Sequence, residues 1–227
     1  MRATDPNLPH LRRIAEALGD LRERVVFVGG AVAGLLVTDP LAEAVRATRD
    51  VDAVIQADWI GFHHVETQVQ QLGFVRDAGS EVICRWIHKA SGLLFDLMPV
   101  EPDVLGFSNR WYPYAVASAE RIDLGGGLTI RLVSAVAFVA TKLEAFADRG
   151  GGDFLMSHDL EDVMNIVDGR EELIPEMAVA PEPLRSAVAT AVARLLAHPD
   201  FANVLPGLIA EPERAELVLD RLRRLSP

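Results

Sequence analysis

Residues 46–55 read RATRDVDAVI and place two aspartates, Asp50 and Asp52, on either side of one valine, directly before an apolar run. The run is typical of a buried β-strand, and side chains alternate along a strand, so both aspartates should point to the same side, about 7 Å apart. Two ionised carboxylates at that separation repel each other and lose solvation if they are unpaired. A divalent cation removes both penalties, so the segment predicts a magnesium site; the alternative is a strand end in water.

Length, charge and cysteine content limit the classes of protein to which the chain can belong. Its 227 residues are enough for one or two closely packed domains. A net charge of −11 and a pI near 5.0 argue against binding nucleic acid over a whole face, although a local basic patch remains possible. With one cysteine, Cys84, the chain can form neither an internal disulfide nor a thiolate zinc cluster. Without a signal-peptide pattern or a membrane-length apolar run, we expect a cytoplasmic protein with no membrane partner.

Hydrophobic periodicity divides the chain into two parts. Up to about residue 133, short apolar segments typical of strands alternate with amphipathic segments typical of helices. The helix predicted over 8–23 is an example of the second kind, and residues 114–133 contain two predicted strands. The later segments have helical periodicity, and they are residues 134–147, 158–168, 184–197 and 212–225. Ser157 is the expected N-cap of the second of these. We therefore predict an α/β domain over 1–133 and a helical domain over 134–227.

A glycine pair closes the first apolar strand. Residues 25–30 read VVFVGG and are followed by a helical segment, so the turn at Gly29 and Gly30 has no Cβ to obstruct an incoming phosphate. The start of the following helix offers N–H donors and a favourable dipole. The segment has neither a G-x-G-x-x-G pattern nor a Lys-Ser/Thr after the glycines. It predicts either a different kind of phosphate site or a tight turn that needs glycine.

A third acid lies inside an apolar strand. Asp96 is flanked by Phe95 and Leu97 in LLFDLMPV, where an unpaired charge would be costly. It either completes a metal site with Asp50 and Asp52, or it faces solvent, or it pairs with an arginine such as Arg85.

The order of these features resembles the DNA polymerase beta-like nucleotidyltransferase superfamily over roughly residues 25–98. In the helical half, TKLEAFADRG and HDLEDVMNIV resemble the Lys-x6-Arg and basic-Asp-x-x-Asp segments of the AbiEii/MenT-like toxin nucleotidyltransferases. The resemblance implies an α+β fold, with an N-terminal nucleotidyltransferase-type mixed β-sheet and flanking helices followed by a C-terminal helical domain. The sequence departs from the family pattern at His158, where a lysine or arginine is usual. Any positive charge at this position therefore depends on pH.

The resemblance also implies roles for individual residues. The carboxylates that it assigns to Mg²⁺ binding and catalysis are Asp50, Asp52 and Asp96. The residues that it assigns to nucleotide binding are Gly29, Gly30, Lys142 and Arg149. Lys142 and Asp159 complete the implied catalytic set.

Spacing along the helical segments gives an independent view of the later residues. Lys142 and Arg149 are seven positions apart, about two helical turns, and so share a face; Asp159 and Asp162, three apart, also share one. A basic face and an acidic face could serve a nucleotide, or they could simply pair with each other.

The expected function is magnesium-dependent transfer of a nucleoside monophosphate from an NTP, with release of pyrophosphate. By resemblance the acceptor is an RNA, such as the 3′ end of tRNA, and the chain is a toxin with a cognate antitoxin. The alternatives are transfer to a small molecule of the aminoglycoside type, transfer to a protein, and a non-catalytic nucleotide-binding module.

Overall fold

The computed structural model describes residues 5–42, 45–149 and 153–226. The chain divides into two compact units, and the described residues of the first are 6–32 and 46–134. Those of the second are 5, 33–42, 45, 135–149 and 153–226. The second unit is therefore discontinuous in sequence, because it includes a segment from the N-terminal half of the chain.

Seven strands of the described residues form one mixed sheet in the first unit. In chain order they are β1 (Val26–Val28), β2 (Asp50–Ile55), β3 (Phe74–Arg76), β4 (Arg85–His88), β5 (Leu94–Pro99), β6 (Glu120–Asp123) and β7 (Thr129–Leu132). Their order across the sheet is β3-β4-β5-β2-β1-β7-β6. The central strand β2 runs parallel to β5 and antiparallel to β1. The mixed sheet expected for the N-terminal half is thus confirmed.

Helices precede, connect and follow these strands. In chain order they are α1 (Leu8–Leu18), α2 (Ala33–Leu36), α3 (Trp59–Gln71), α4 (Pro102–Leu105), α5 (Tyr112–Ala117), α6 (Ala135–Arg149), α7 (His158–Gly169), α8 (Leu173–Ala178), α9 (Glu182–Ala197), α10 (Phe201–Val204) and α11 (Ala215–Leu225). After residue 134 the part of the chain that the structure describes contains helices and turns but no strand, which confirms the helical C-terminal half. None of the helices formed by described residues is long and apolar enough to cross a bilayer.

The central strands carry the apolar core of the first unit. Val51, Val54, Phe95 and Leu97 are almost completely buried on β2 and β5, and the ring of Phe95 lies 5.5 Å from that of Phe74. Burial of each large apolar side chain stabilises the fold by roughly 1.5–3 kcal/mol. Polar residues on the same two strands are therefore held by a well-anchored backbone.

In the second unit, the C-terminal end of α7 is fixed by several hydrogen bonds. The backbone N–H groups of Thr38 and Asp39 both donate to the carbonyl of Gly169 at 2.9 Å. Arg221 donates to the carbonyls of Val167, at 3.0 Å, and Asp168. These donors satisfy carbonyls that a helix end otherwise leaves without partners. At the other end of α7, Ser157 accepts from the N–H of Leu160 at 3.3 Å, which confirms the predicted N-cap.

One predicted strand is partly wrong. The first of the two strands predicted within 114–133 covers residues 115–124, but residues 112–117 form α5 and only Glu120–Asp123 form a strand. Pro113 lies in the first turn of α5, where its fixed φ favours a helix and its missing N–H costs nothing. The apolar alanines and valine that followed it were compatible with either structure.

Gly169 is expected to be essential for the stability of the second unit. A Cβ at this position would lie 2.7 Å from Cγ1 of Val37 and 3.4 Å from Cβ of Ala42, and the β-branched valine has little freedom to move. We expect Gly169→Ala to lower the free energy of unfolding by about 1–3 kcal/mol, the usual cost of overpacking. Urea denaturation measures this loss. The control is Gly79→Ala, where the nearest atom would be Asp77 Oδ1 at 3.6 Å; equal losses in the two variants would contradict the expectation.

Candidate functional site

The register of β2 and β5 brings the three predicted carboxylates to one face of the sheet. Asp52 is the direct partner of Asp96 across the parallel pair, and Asp50 lies two residues before Asp52 on β2. Directly paired residues on adjacent strands point to the same side, as do residues two apart on one strand. Asp50, Asp52 and Asp96 therefore share one face of the first unit's sheet.

The turn after β1 is packed against this acidic face. Val28 is the antiparallel partner of Asp52, so Gly29, with a φ of 72°, follows directly beside that aspartate. A Cβ on Gly29 would lie 2.6 Å from Cγ of Asp52 and would overlap its Oδ2. Glycine is thus required twice, for its positive φ and for the room that it leaves. Gly30 begins the short 3₁₀ turn Gly30–Val32 that leads into α2.

Arg85 supplies a positive charge to the carboxylates. It is the partner of Asp96 on the antiparallel strand β4. Its Nε donates to Asp96 Oδ1 at 2.9 Å and its Nη2 to Asp96 Oδ2 at 2.7 Å, and the same Nη2 donates to Asp50 Oδ2 at 2.7 Å. The pairing of Asp96 with Arg85, one of the alternatives open from sequence, is therefore present in the structure.

Burial and charge set the protonation of this group. Hydrogen bonding to Asp96 raises the pKa of Arg85, so the guanidinium is firmly charged. Burial raises the pKa of the Asp96 carboxyl, and the Arg85 fork opposes that rise. Burial, followed by the charges of Asp96 and Asp52, raises the pKa of the nearby Cys84 thiol to about 12, so this cysteine stays protonated at neutral pH. Arg85 is thus a charged cation held within the cluster.

The donor set fits magnesium in its chemistry. Carboxylate oxygens are the ligands that magnesium prefers, and three carboxylates lie on one face. Nevertheless, no three His, Cys, Asp or Glu side chains within the described ranges converge closely enough to enclose an ion. The position between Asp50 and Asp96 is taken by the Nη2 of Arg85. Metal binding by these three aspartates therefore stays a prediction.

A short chain of hydrogen bonds fixes the approach to β2. Asn7, at the start of α1, accepts from the N–H of Thr48 at 2.8 Å and donates to the carbonyl of Arg46 at 2.9 Å. The Thr48 hydroxyl donates to the carbonyl of Asp50 at 3.1 Å. Sequence reasoning missed these residues, because an asparagine before a helix reads as an N-cap, whereas the Asn7 side chain makes no cap bond here.

The remaining predicted residues form a separate cluster within the second unit. Lys142 of α6 lies between two aspartates of α7, with Nζ 3.0 Å from Asp159 Oδ1 and 2.7 Å from Asp162 Oδ2. Arg149 Nη2 lies 2.9 Å from Asp159 Oδ2. Asp162 is fully buried and the Lys142 side chain is 11% exposed, whereas Arg149 is 71% exposed. The structure thus brings Lys142, Arg149 and Asp159 together as paired charges.

Comparisons with known proteins show the fold. Neither the protein-family models nor the curated proteins give a match to this chain. Among solved structures, an antigenic nucleotidyltransferase-like protein from Paracoccidioides brasiliensis is similar over 92% of this chain and 94% of its own, with 21% identity and a TM-score of 0.53. The antibiotic-resistance factor ANT(2'')-Ia is similar over 84% and 93%, with 15% identity and a TM-score of 0.50. JHP933 from Helicobacter pylori is similar over 99% and 94%, with 12% identity and a TM-score of 0.50.

These similarities confirm the nucleotidyltransferase-like fold that the sequence motifs implied. At such identities they show the fold alone. Membership of the AbiEii/MenT-like toxin family stays a prediction that rests on the Lys142, Arg149 and Asp159 segments.

The close approach of Gly29 to Asp52 can be tested against a matched glycine. Gly92 has nearly the same φ, 71°, but nothing lies within 4 Å of its Cβ position. Alanine at either site carries a backbone strain of about 1–2 kcal/mol. We expect Gly29→Ala to lose a further 1–3 kcal/mol, roughly, through the clash with Asp52. Chemical denaturation of both variants gives the difference, and equal losses would show that Asp52 does not constrain the turn.

The Lys142 cluster makes a second prediction. We expect Lys142→Met to lower the free energy of unfolding by about 3–5 kcal/mol, because the buried Asp162 loses its counter-ion. The double variant Lys142→Met with Asp162→Leu should recover much of that loss. The control Arg149→Gln removes an exposed charge and should cost less than about 1 kcal/mol. A small effect of Lys142→Met in thermal and urea unfolding would contradict this account.

Proposed function

We propose that this chain is a magnesium-dependent nucleotidyltransferase, which moves a nucleoside monophosphate from an NTP to an acceptor hydroxyl. The observation that carries the proposal is the in-register pair of Asp52 and Asp96 on β2 and β5, with Asp50 on the same face and Gly29 against Asp52. Carboxylates on one face of a nucleotidyltransferase-like fold support metal-assisted transfer of a nucleoside monophosphate.

The first unit supplies the groups that would hold the ion and the triphosphate. Asp50, Asp52 and Asp96 would bind Mg²⁺, which when bound supplies a Lewis acid and lowers the pKa of the acceptor hydroxyl. Gly29 and Gly30 would let the triphosphate approach the backbone, since no Cβ stands in the way. The buried neighbours of the aspartates on β2 and β5 would keep them in place during the reaction.

Two bonds change in the proposed reaction. The acceptor oxygen forms a bond to the α-phosphorus while the bond from that phosphorus to its bridging oxygen breaks, and pyrophosphate leaves. The hydroxyl proton passes to a carboxylate of the cluster.

The motif resemblance assigns Lys142 and Arg149 to the neutralisation of nucleotide phosphates, and we carry these roles over as part of the proposal. Asp159 would hold both cations through its two oxygens.

The acceptor that the motif resemblance favours is an RNA, such as the 3′ end of tRNA. Its modification would make this chain the toxin of a toxin–antitoxin pair, kept inactive by a cognate antitoxin. Local positive charge such as that of Arg49, next to Asp50 in sequence, could guide an RNA end despite the acidic total.

A second candidate acceptor is a small cationic molecule of the aminoglycoside type. The net charge of −11 favours it, because an acidic surface attracts a polycation and repels RNA. The fold similarity to the antibiotic-resistance factor ANT(2'')-Ia is compatible with this candidate.

The proposal predicts a large loss of transfer in Asp52→Asn. This isosteric change removes one ligand charge, and a loss of a few kcal/mol in transition-state stabilisation corresponds to at least about a 100-fold slower reaction. The measurement is incorporation of label from each α-³²P-NTP with Mg²⁺, using total RNA, an aminoglycoside panel and carrier protein as acceptors.

Asp103→Asn is the matched control, since Asp103 is an exposed aspartate of the same unit. It should leave transfer within about twofold of the native rate. Label on RNA supports the toxin function, and label on aminoglycosides or on protein moves the assignment to that acceptor. Nucleotide binding without transfer to any acceptor would indicate a non-catalytic module, and transfer that survives Asp52→Asn would refute the proposed site.

A further inference from the structure

We infer that Arg85 is the built-in counter-cation of the acidic face, and that a divalent ion binds only after Arg85 Nη2 has left Asp50. The inference rests on the proposed function in one respect, the use of Asp50, Asp52 and Asp96 as ion ligands. It concerns a step that precedes nucleotide binding, the exchange of one cation for another.

The geometry makes the two cations compete for Asp50. One nitrogen, Nη2 of Arg85, lies 2.7 Å from Asp50 Oδ2 and 2.7 Å from Asp96 Oδ2. Magnesium holds its oxygen ligands at about 2.0–2.1 Å, so Asp50 Oδ2 could serve an ion only after the guanidinium nitrogen has moved away from it. The ion and Nη2 therefore compete for Asp50 Oδ2.

Arg85 is held more firmly by Asp96 than by Asp50, which indicates that the contact with Asp50 is the one that breaks. Arg85 makes two hydrogen bonds to Asp96 and one to Asp50. Asp96 is its partner across the β4–β5 ladder, and the Asp96 side chain is only 7% exposed. Asp50 is 33% exposed and belongs to the more distant strand β2. Asp50 is thus the exchangeable partner, while the fork to Asp96 persists.

Arg85 would then be a positioning residue with two effects. Before the ion arrives, the positive charge of Arg85 offsets the repulsion between the carboxylates. An opposite charge within hydrogen-bond distance therefore favours their ionised form. After exchange it continues to orient both oxygens of Asp96 through the remaining bidentate contact. Removing the arginine should therefore tighten ion binding and weaken the ion-free protein.

Mn²⁺ binding to the metal-free, full-length protein tests this directly, measured by the loss of the free-ion electron paramagnetic resonance signal without nucleotide or acceptor. We expect Arg85→Gln to bind Mn²⁺ about tenfold more tightly than the native protein, and to gain more in melting temperature on addition of the ion. Asp52→Asn should weaken binding in both backgrounds.

The control is Arg121→Gln, which removes the same charge from the same unit at a site 70% exposed and paired with Glu23. It should leave Mn²⁺ affinity within about twofold, because exposed pairs contribute little. Equal gains in Mn²⁺ affinity in Arg85→Gln and Arg121→Gln would mean that the effect comes only from the change in net charge, and would overturn the inference. Equal or weaker binding by Arg85→Gln would also overturn it, as would the absence of Mn²⁺ binding by both proteins.

A measurement on the native protein covers the case in which Arg85→Gln does not fold. Nitrogen-15 NMR of the Arg85 guanidinium should show that Mg²⁺ perturbs the Nη2 signal while Nε stays bonded to Asp96; an unchanged Nη2 signal on Mg²⁺ binding overturns the inference. Failure of the proposed function is distinguishable, because a protein that shows this exchange but transfers no nucleotide would refute only the enzyme assignment.

Discussion

The first unit is organised around the electrostatic cost of three carboxylates on one sheet face. The parallel register of β2 and β5 sets Asp52 opposite Asp96, and the strand period adds Asp50 to the same side. Such a group needs compensating charge at all times, because neither repulsion nor lost hydration is relieved by the apolar core beneath it. Arg85 provides that charge from the next strand, and its position follows from its own pairing with Asp96.

The second unit meets a similar cost with a different arrangement. Lys142 stands between Asp159 and Asp162 as Arg85 stands between Asp50 and Asp96. The difference lies in solvent access, since Asp162 is fully buried whereas Asp50 is partly open. The planar guanidinium of Arg85 suits the bidentate grip on Asp96. The Lys142 pairing is consequently the more shielded of the two from solvent.

Local patterns were sufficient to predict the individual elements but not the partnerships between them. The alternation around Val51 indicated that Asp50 and Asp52 share a face, and the glycine pair marked the turn beside them, because both signals are contained in a few neighbouring residues. The pairing of Asp52 with Asp96 joins residues 44 positions apart, and no local rule encodes that register. Arg85 was one of several arginines compatible with Asp96. The strand predicted over 115–124 begins as a helix because Pro113 favours the first turn of α5.

The discontinuity of the second unit has a consequence for synthesis on the ribosome. Residues 6–32 and 46–134 emerge first and contain every strand of the sheet, so the first unit can close early. Residues 33–42 emerge between the two segments of the first unit, but their partners lie much later in the chain. Gly169 accepts hydrogen bonds from the N–H groups of Thr38 and Asp39, and Arg214 pairs with the Asp39 carboxylate. At about 5–20 residues per second, this segment is synthesised several seconds before those partners. These contacts of residues 33–42 therefore form only after Gly169 and Arg214 have left the exit tunnel.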